Sequence, residues 1–204
     1  MRLGIFGGSF DPVHLGHLLL ADCCAKQANL DEVWFVPAAN QPLKPAGPRA
    51  SGAHRLSMLE LATADRSEFV SSPVELDRGG VSYTVDTLAI IHANRPDATL
   101  FFLMGADSLA DLPGWHRPAD ICALATPLVV RRAGSSPLDF DPLRSLVGES
   151  RVGAIQQTVI EMPPTPISSS EIRTLITRDG SWQHLVPLAV ADYIETHRLY
   201  ETED

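Results

Sequence analysis

Residues 3–17 read Leu-Gly-Ile-Phe-Gly-Gly-Ser-Phe-Asp-Pro-Val-His-Leu-Gly-His, an apolar run followed by small residues, a turn and paired histidines. The apolar run at 3–6 is typical of a buried strand. Gly7 and Gly8 let the backbone come close to a ligand, because a Cβ atom would stand in the way. Asp-Pro at 11–12 favours a turn, and a helix that begins near His14 would offer unpaired N–H groups to an anion. The stretch therefore predicts a strand, a phosphate-binding turn and a helix.

The two histidines of this stretch, His14 and His17, are three positions apart. Residues at i and i+3 of a helix share a face, with Cβ atoms roughly 5–6 Å apart, so both side chains can reach one phosphoryl group. Imidazole donates a hydrogen bond when neutral and adds a positive charge when protonated. The alternative is two solvated histidines at a helix start, and the Gly-Gly-Ser-Phe-Asp-Pro sequence before them favours the phosphate site.

Composition and charge narrow the classes of protein. With 204 residues, 45% hydrophobic and 20% charged, the chain can form one large or two small domains, and we predict a single domain over 1–204. No apolar stretch nears the ~18–20 residues of a membrane span, and the start does not resemble a signal peptide, so we expect a cytoplasmic protein with no membrane partner. A net charge of −9 argues against nucleic-acid binding. A small anionic substrate could still bind if a cleft brings together several positively charged side chains. The candidates are Lys44, Arg49, Arg55, Arg131, Arg132 and Arg173.

The cysteines, Cys23, Cys24 and Cys122, match no zinc-binding spacing, and the adjacent pair is poorly placed to form a disulfide. We expect buried, inert thiols.

Apolar runs alternate with helical patterns along the chain. Strands are predicted at 3–6, 33–37, 69–76, 100–104, 128–131 and 155–161, and helices at 15–28, 54–64, 84–93, 108–112, 117–122, 169–177 and 187–197. This alternation predicts an α/β fold with a doubly wound, mostly parallel sheet, helices on both faces and a C-terminal helical segment. Loops at 38–52 and 132–142 are either surface connections or substrate lids at the carboxyl ends of strands.

Residues 7–17 resemble the signature of bacterial nicotinate-nucleotide adenylyltransferases, in the nucleotidyltransferase superfamily that carries a His-x-Gly-His motif. The resemblance implies a Rossmann-like fold and the transfer of AMP from ATP to nicotinate mononucleotide, which gives deamido-NAD and pyrophosphate. It implies that His14 and His17 are catalytic and hold the α-phosphoryl oxygens. By the same resemblance, ATP is bound by Gly7, Gly8, Ser9 and Phe10.

A second motif, Thr-Pro-Ile-Ser-Ser-Ser-Glu-Ile-Arg at 165–173, has the pattern of a helix cap, with Glu171 in the first turn. It is similar to the superfamily's Ile-Ser-Ser-Thr-x-Ile-Arg. The resemblance implies that Arg173 is catalytic and holds the departing pyrophosphate, as its guanidinium fork suits phosphate oxygens. It also places in the ATP site Ile167, Ser168, Ser169 and Ser170.

Two middle segments also resemble the family. In 103–109, Gly105 permits close approach, and Asp107 either caps a helix or binds ribose hydroxyls of ATP. In 80–88, Thr84 is placed to cap a helix, and the family resemblance makes Tyr83 and Thr84 candidates for binding the nicotinate carboxylate.

Three further side chains complete the expectations for the mononucleotide site. Trp115 is either core filler or, by the resemblance, a plate stacked on the pyridine ring. The resemblance also assigns Lys44 and Arg132 to the mononucleotide, with Leu43 in the position of a family histidine. Arg55 either supports the phosphate loop or caps and solvates the helix 54–64, and we favour the second interpretation.

The implied mechanism is an in-line attack by the mononucleotide phosphate on the α-phosphorus of ATP, with Mg²⁺ carried by the ATP phosphates and no protein metal site. A homo-oligomer is possible. Three alternatives remain: a superfamily transferase acting on phosphopantetheine or making a CDP-alcohol, a metal-dependent hydrolase using His14, His17 and Asp11, and a non-catalytic nucleotide sensor.

Overall fold

The computed structural model describes residues 1–42, 46–134 and 137–201. The strands are β1 (Arg2–Gly8), β2 (Glu32–Pro37), β3 (Phe69–Ser71), β4 (Thr99–Gly105), β5 (Thr126–Arg132) and β6 (Ile160–Met162). The α-helices are α1 (Leu15–Gln27), α2 (Gly52–Thr63), α3 (Val74–Arg78), α4 (Thr84–Asn94), α5 (Ala106–Asp111), α6 (Pro118–Leu124), α7 (Asp141–Gln156), α8 (Ser169–Thr177) and α9 (Leu188–Thr196). Short 3₁₀ turns cover Leu112–Gly114 and Gln183–Leu185.

The strands form one six-stranded parallel sheet in the order β3-β2-β1-β4-β5-β6. This is the order of the doubly wound dinucleotide-binding fold, in which ligands bind outside the carboxyl ends of the strands. In the register, Leu3 pairs with Leu100, Leu103 with Leu128, and Val130 with Ile160. The predicted α/β, Rossmann-like parallel sheet is confirmed.

The strands at the centre of the sheet are apolar along their whole length. In β4, residues 100–104 are Leu-Phe-Phe-Leu-Met, and every one of them is buried. Side chains of a strand alternate between the two faces of the sheet, so burial of consecutive residues requires cover on both faces. Helix α5 packs against β4 and β5, and α6 and α7 pack against β5.

The chain divides into two compact units, each assembled from separate stretches of sequence. The first unit comprises Met1–Phe6, Leu20–Trp34 and Tyr83–Pro164, and the second comprises Gly7–Leu19, Phe35–Ser82 and Thr165–Asp204. Within the first unit, α4 packs on α6, and β4 pairs with β5. Within the second unit, α2 packs against β3 and α9. The assignment of residues 1–204 to a single domain stays a prediction.

Two predicted strands are shorter in the structure. The strand predicted at 69–76 ends at Ser71, and the helix α3 begins at Val74, directly after Pro73. Proline has no N–H group with which to continue a strand ladder. The strand predicted at 155–161 is reduced to β6, because residues 155 and 156 end α7.

Helix α7 was not predicted. Its sequence contains Gly148, which has φ 77° and interrupts the helical geometry between two helical stretches. Glycine has a low helix propensity, and this obscures the helical pattern of the stretches on either side of it. Burial of Leu143, Val152 and Ile155 stabilises the segment despite that glycine. Helix α7 begins at Asp141, within the loop predicted at 132–142.

The thiols Cys24 and Cys122 are buried as predicted, while Cys23 is half-buried. Burial raises the pKa of each of these thiols above its usual range, most strongly for Cys24. Among the described helices, none is long and apolar enough to cross a bilayer.

Candidate active site

The signature turn, residues 8–14, begins at the carboxyl end of β1 and leads into α1 at Leu15, as the sequence predicts. A cis peptide joins Asp11 and Pro12. Phe10 has φ 48° and is buried, and its ring lies so close to Gly8 that a Cβ atom there would stand 3.0 Å from it. Gly8 therefore leaves room for the Phe10 ring, which would have to shift by a few tenths of an ångström if a Cβ atom were present.

The predicted pairing of the two histidines is present. The rings of His14 and His17 stack with centroids 3.7 Å apart, and the ring of Phe10 lies edge-on to His17 at 5.0 Å. The backbone N–H of His14 donates to Nδ1 of His17 over 3.2 Å. In neutral His17 the ring proton must then be on Nε2, which makes that atom a hydrogen-bond donor. His14 is 6% exposed and immediately precedes α1.

Gly16 brings the two sequence motifs close together. A Cβ atom at Gly16 would lie 3.1 Å from Cε1 and Nδ1 of His14 and 3.6 Å from the Thr165 methyl group. The glycine therefore leaves the space that the His14 imidazole fills. Thr165 begins the second motif, 149 positions further along the chain than Gly16.

The second motif caps α8 as predicted. The Ser168 hydroxyl accepts a hydrogen bond from the backbone N–H of Glu171 over 3.2 Å. The Ser169 hydroxyl donates to the carbonyl oxygen of Pro12 over 2.9 Å, and Arg173 Nη1 donates to the carbonyl oxygen of Asp11 over 2.7 Å. The first turns of α8 are thus tied directly to the signature turn.

The same helix start holds the remaining residues of the predicted ATP motif. Ser170 is exposed, with its hydroxyl 3.4 Å from that of Ser168. Ile167 is half-buried, and its backbone N–H donates to Thr165. The N-terminal ends of α1 and α8 belong to the same unit, and such helix ends favour anions through their N–H groups and dipoles.

Asp11 is a buried carboxylate, 3% exposed, at the centre of this unit's polar contacts. Its Oδ1 accepts hydrogen bonds from the backbone N–H of Ala50 over 3.0 Å and from the Tyr200 hydroxyl over 2.8 Å. Its Oδ2 accepts from the backbone N–H of Arg49 over 2.8 Å and lies 3.6 Å from Arg173 Nη1. The carboxylate thereby links the signature turn, the chain before α2, the C-terminal region and α8.

Arg55 corrects a sequence interpretation, because it neither caps α2 at the surface nor lies in solvent. It is 1% exposed and donates to the carbonyl oxygens of Ala50, Ser9 and Ala38. Burial lowers the pKa of Arg55 and nearby Asp11 opposes that effect, so the guanidinium remains a buried cation. Arg55 therefore supports the signature turn from within the protein.

Ser9 lies in the same turn. Its hydroxyl donates to Oε1 of Gln41 over 2.9 Å, and the neighbouring Gly8 carbonyl accepts from the backbone N–H of Ala38. Gly7 is exposed where β1 ends. Lys44 and Leu43 lie outside the described residues.

The first unit carries the residues predicted to bind the pyridine ring. Tyr83 is the N-cap of α4, and its side chain makes no capping hydrogen bond. The predicted cap by Thr84 is wrong, because Thr84 is the first helical residue. Tyr83 lies against the His116 imidazole, with centroids 4.3 Å apart. Trp115 is half-buried and packs edge-on against Phe102 at 5.9 Å. Within the described chain, the buried Nε1 of Trp115 has no hydrogen-bond acceptor.

Other predicted residues of this unit lie at strand ends. Gly105 ends β4 and is the N-cap of α5, and no atom lies within 4 Å of the position that its Cβ would take. Asp107 is exposed in the first turn of α5 and does not cap it. Arg132 ends β5 and is exposed.

The hydrolase alternative needs a metal site that these residues do not form. Among residues 1–42, 46–134 and 137–201, no group of three or more His, Cys, Asp or Glu side chains could hold a metal ion. Moreover, both oxygens of Asp11 accept hydrogen bonds from the protein, so its carboxylate is committed to structure.

Sequence reasoning did not include Asp11, Tyr200 or His116 among the residues expected to bind the nucleotides. Tyr200 contacts Asp11 across 189 positions of sequence, a pairing that no local pattern encodes. The Asp-Pro pair at 11–12 predicted a turn at Asp11. It did not predict the hydrogen bonds that the Asp11 carboxylate makes with distant residues.

Comparison with known proteins agrees with the two motifs. The cytidylyltransferase-like family model matches residues 5–175. A Rhodopirellula baltica protein called probable nicotinate-nucleotide adenylyltransferase is 40% identical over 198 residues, which cover 97% of this chain and 92% of the relative. A Thermomicrobium roseum protein of the same name is 41% identical over 201 residues, covering 98% and 92%.

A solved structure agrees with the fold. The Plasmodium falciparum nicotinic acid mononucleotide adenylyltransferase complexed with NaAD matches with a TM-score of 0.72 at 20% identity, covering 99% of this chain and 98% of that one. With the signature turn, the capped α8 and full-length relatives near 40% identity, the chain belongs to the nicotinate-nucleotide adenylyltransferases of the cytidylyltransferase-like family.

Proposed function

We propose that the signature turn and the start of α8, both in the second unit, bind the triphosphate of ATP during adenylyl transfer. The enzyme is a nucleotidyltransferase of NAD biosynthesis that moves AMP from ATP to nicotinate mononucleotide, giving deamido-NAD and pyrophosphate. The observation that supports this proposal is the stacked histidine pair at the start of α1. The turn that precedes the pair accepts hydrogen bonds from Ser169 and Arg173 of α8.

His17 is proposed to donate from Nε2 to an α-phosphoryl oxygen of ATP. The hydrogen bond from the His14 N–H to Nδ1 fixes this tautomer and the ring orientation. His14 stacks on the same ring and is proposed to contact the same phosphoryl group. A donor fixed in advance stabilises the charge that develops in the transition state without reorganising.

Arg173 is proposed to hold the pyrophosphate as it departs. Asp11 engages one side of the guanidinium, through its carbonyl oxygen and its carboxylate. In the described chain, the remaining N–H donors of Arg173 have no protein acceptor, and the side chain is 24% exposed. Ser168, Ser169, Ser170 and Ile167 at the start of α8 are proposed to line the same phosphates, with Gly7, Gly8, Ser9 and Phe10 on the side of the signature turn.

No protein base is needed for the attack. The second pKa of a phosphate monoester is about 6, so the mononucleotide phosphate is mostly dianionic at neutral pH. One of its oxygens attacks the α-phosphorus, and the bond from that phosphorus to the bridging oxygen of the pyrophosphate breaks. Catalysis then consists of positioning and charge stabilisation.

In the first unit, we propose that Trp115 stacks on the pyridine ring and that Tyr83 and Thr84 bind the nicotinate carboxylate. The backbone N–H groups at the start of α4 suit a carboxylate, and the side chain of the N-cap residue Tyr83 makes no capping hydrogen bond to them. Arg132 of this unit is proposed for the mononucleotide phosphate, and Gly105 and Asp107 for the ATP ribose. Lys44 lies outside the described residues and stays a candidate for the mononucleotide from the sequence alone. Mg²⁺ is proposed to arrive as part of the substrate MgATP, since this ion is often bound through substrate phosphates.

The experiment that tests this function supplies the purified protein with Mg²⁺ and either ATP or CTP. Each mixture contains nicotinate mononucleotide, nicotinamide mononucleotide, phosphopantetheine or a phosphoalcohol as acceptor, and the products are identified by mass. Deamido-NAD and pyrophosphate should form from ATP and nicotinate mononucleotide. A product from another acceptor alone would favour a different superfamily transferase, and ATP binding without any product would indicate a sensor.

A further inference from the structure

The Asp11 carboxylate is oriented by its hydrogen bonds. Oδ1 accepts from the Ala50 N–H and the Tyr200 hydroxyl, whereas Oδ2 accepts from the Arg49 N–H and lies 3.6 Å from Arg173 Nη1. The plane of the carboxylate, and with it the distance from Oδ2 to Arg173, depends on the donors that hold Oδ1. Of those donors, the Tyr200 hydroxyl is the one supplied by a side chain.

Tyr200 is itself held firmly. It is 7% exposed, and its backbone carbonyl lies 3.2 Å from the Thr177 hydroxyl in α8, which also donates to the carbonyl oxygen of Arg173 over 3.0 Å. Its φ of 68° is uncommon for a residue other than glycine, so the surrounding structure fixes this conformation. Burial and the adjacent Asp11 raise the pKa of Tyr200, which keeps the proton on the phenol as a donor.

We propose that Tyr200 is a positioning residue of the phosphate site, acting through Asp11 on the guanidinium of Arg173. Neither motif contains Tyr200, which is not expected to touch either substrate. The hydroxyl turns Oδ1 of Asp11 toward the protein, and Oδ2 and the Asp11 carbonyl then hold one side of Arg173. The other guanidinium donors stay directed to the pyrophosphate. The inference rests on the proposed role of Arg173.

The test compares Tyr200→Phe with the wild type, since this change removes the hydroxyl and keeps the ring. We expect kcat/KM for ATP to fall about tenfold, as for the loss of one positioning hydrogen bond, while KM for nicotinate mononucleotide changes less than twofold. The matched control is Tyr193→Phe, which removes a hydroxyl that lies 3.0 Å from His54 Nδ1 in the same unit. That control should leave both constants within twofold of the wild type.

A double-mutant cycle separates positioning from a general structural role. In an Arg173→Ala background, Tyr200→Phe should cause no further loss, because the group on which it acts is gone. Equal losses from Tyr200→Phe in both backgrounds, or a Tyr200→Phe enzyme within twofold of the wild type, would overturn the proposal. If Tyr200→Phe shows no cooperative unfolding transition, Thr177→Val replaces it. The Thr177 hydroxyl also lies 3.0 Å from the carbonyl oxygen of Arg173, so the control is Thr174→Val, which removes the equivalent contact to the carbonyl oxygen of Ser170. We then expect KM for ATP to rise at least threefold in Thr177→Val and less than twofold in Thr174→Val, and an unchanged KM or equal rises overturn the proposal.

Binding of MgATP, measured by titration calorimetry without an acceptor, distinguishes failure of the proposed function from failure of the positioning role of Tyr200. A wild-type protein that binds MgATP and makes no dinucleotide contradicts the proposed function. In that case, the positioning role is still supported if Tyr200→Phe weakens MgATP binding in the wild-type background and has no effect in the Arg173→Ala background. An unchanged affinity of Tyr200→Phe for MgATP refutes the positioning role.

Discussion

A single backbone N–H group determines which nitrogen of His17 can serve a substrate. Because the His14 N–H donates to Nδ1, the opposite nitrogen of neutral His17 carries the proton. The spacing of the two histidines predicted that their side chains lie together, and the two rings are stacked. That both side chains reach one phosphoryl group stays a prediction.

We expect His17→Ala to lower kcat at least ~100-fold, in line with the loss of a key transition-state donor. Steady-state kinetics with ATP and nicotinate mononucleotide measures the effect. The control is His184→Ala, at an exposed histidine of the second unit, and it should leave kcat unchanged. Near-normal turnover of His17→Ala would refute the assignment.

The substitution Gly16→Ala should have opposite effects on stability and on activity. Alanine is favoured over glycine within a helix by about 1 kcal/mol, so propensity alone predicts a more stable protein. The added Cβ would lie 3.1 Å from the His14 imidazole and displace it, so we expect kcat to fall about tenfold or more.

Gly153→Ala is the matched control for Gly16→Ala, because it also lies in a helix and its Cβ would meet no atom within 4 Å. It should keep full activity. Thermal unfolding and steady-state kinetics on both variants separate the two effects, and a fully active Gly16→Ala enzyme would contradict the geometric argument.

Helix α8 shows how one element serves both stability and the site. Its N-cap Ser168 pairs with the Glu171 N–H, while the neighbouring Ser169 reaches across to the signature turn. The cap could be predicted from the Ser-Ser-Ser-Glu pattern, because capping depends on residues a few positions apart. The contact from Ser169 to Pro12 could not, because it spans 157 positions.

Replacement of either of two N-cap serines should distinguish these roles. Ser168→Ala in α8 and Ser51→Ala in α2 each remove a side-chain acceptor 3.2 Å from a backbone N–H, so each should cost about 1 kcal/mol of the free energy of unfolding. Only Ser168→Ala should also raise KM for ATP. Urea unfolding and kinetics give both readouts, and an equal rise in KM for both variants would show that the effect comes from stability alone.

Burial of weak acids makes the stability of the whole molecule fall at high pH. Burial raises the folded-state pKa of Cys24 and of Tyr200 above the unfolded values of about 8.5 and 10. Below the unfolded pKa both states hold the proton, and the full stabilisation is present. Above it the unfolded state loses the proton first, and stability is lost progressively as the pH rises toward the folded-state pKa.

Each such group should lower the free energy of unfolding by up to about 1.4 kcal/mol per pH unit above its unfolded pKa. Urea unfolding between pH 7 and about 10.5 measures the slope, and Cys24→Ala should make it shallower from about pH 9 upward. Identical slopes for the wild type and Cys24→Ala would contradict the prediction.

Local patterns predicted the order of most elements, but they failed where long-range packing opposed them. Helix α7 forms around Gly148 because Leu143, Val152 and Ile155 become buried, and a glycine-containing segment gives little local signal of that burial. The strand predicted at 69–76 ends early because its apolar residues beyond Pro73 belong to a helix.

The sequence by itself determined the parallel α/β architecture, the glycine-rich turn with its histidine pair, and the capped helix that begins within the serine run. These features depend on backbone conformation and on neighbours a few positions apart. Only the tertiary structure decided that Arg55 is buried under the turn and that Asp11 joins Tyr200 to Arg173. Buried charges must find partners wherever folding brings them, and those partners lie up to 189 positions away in the chain.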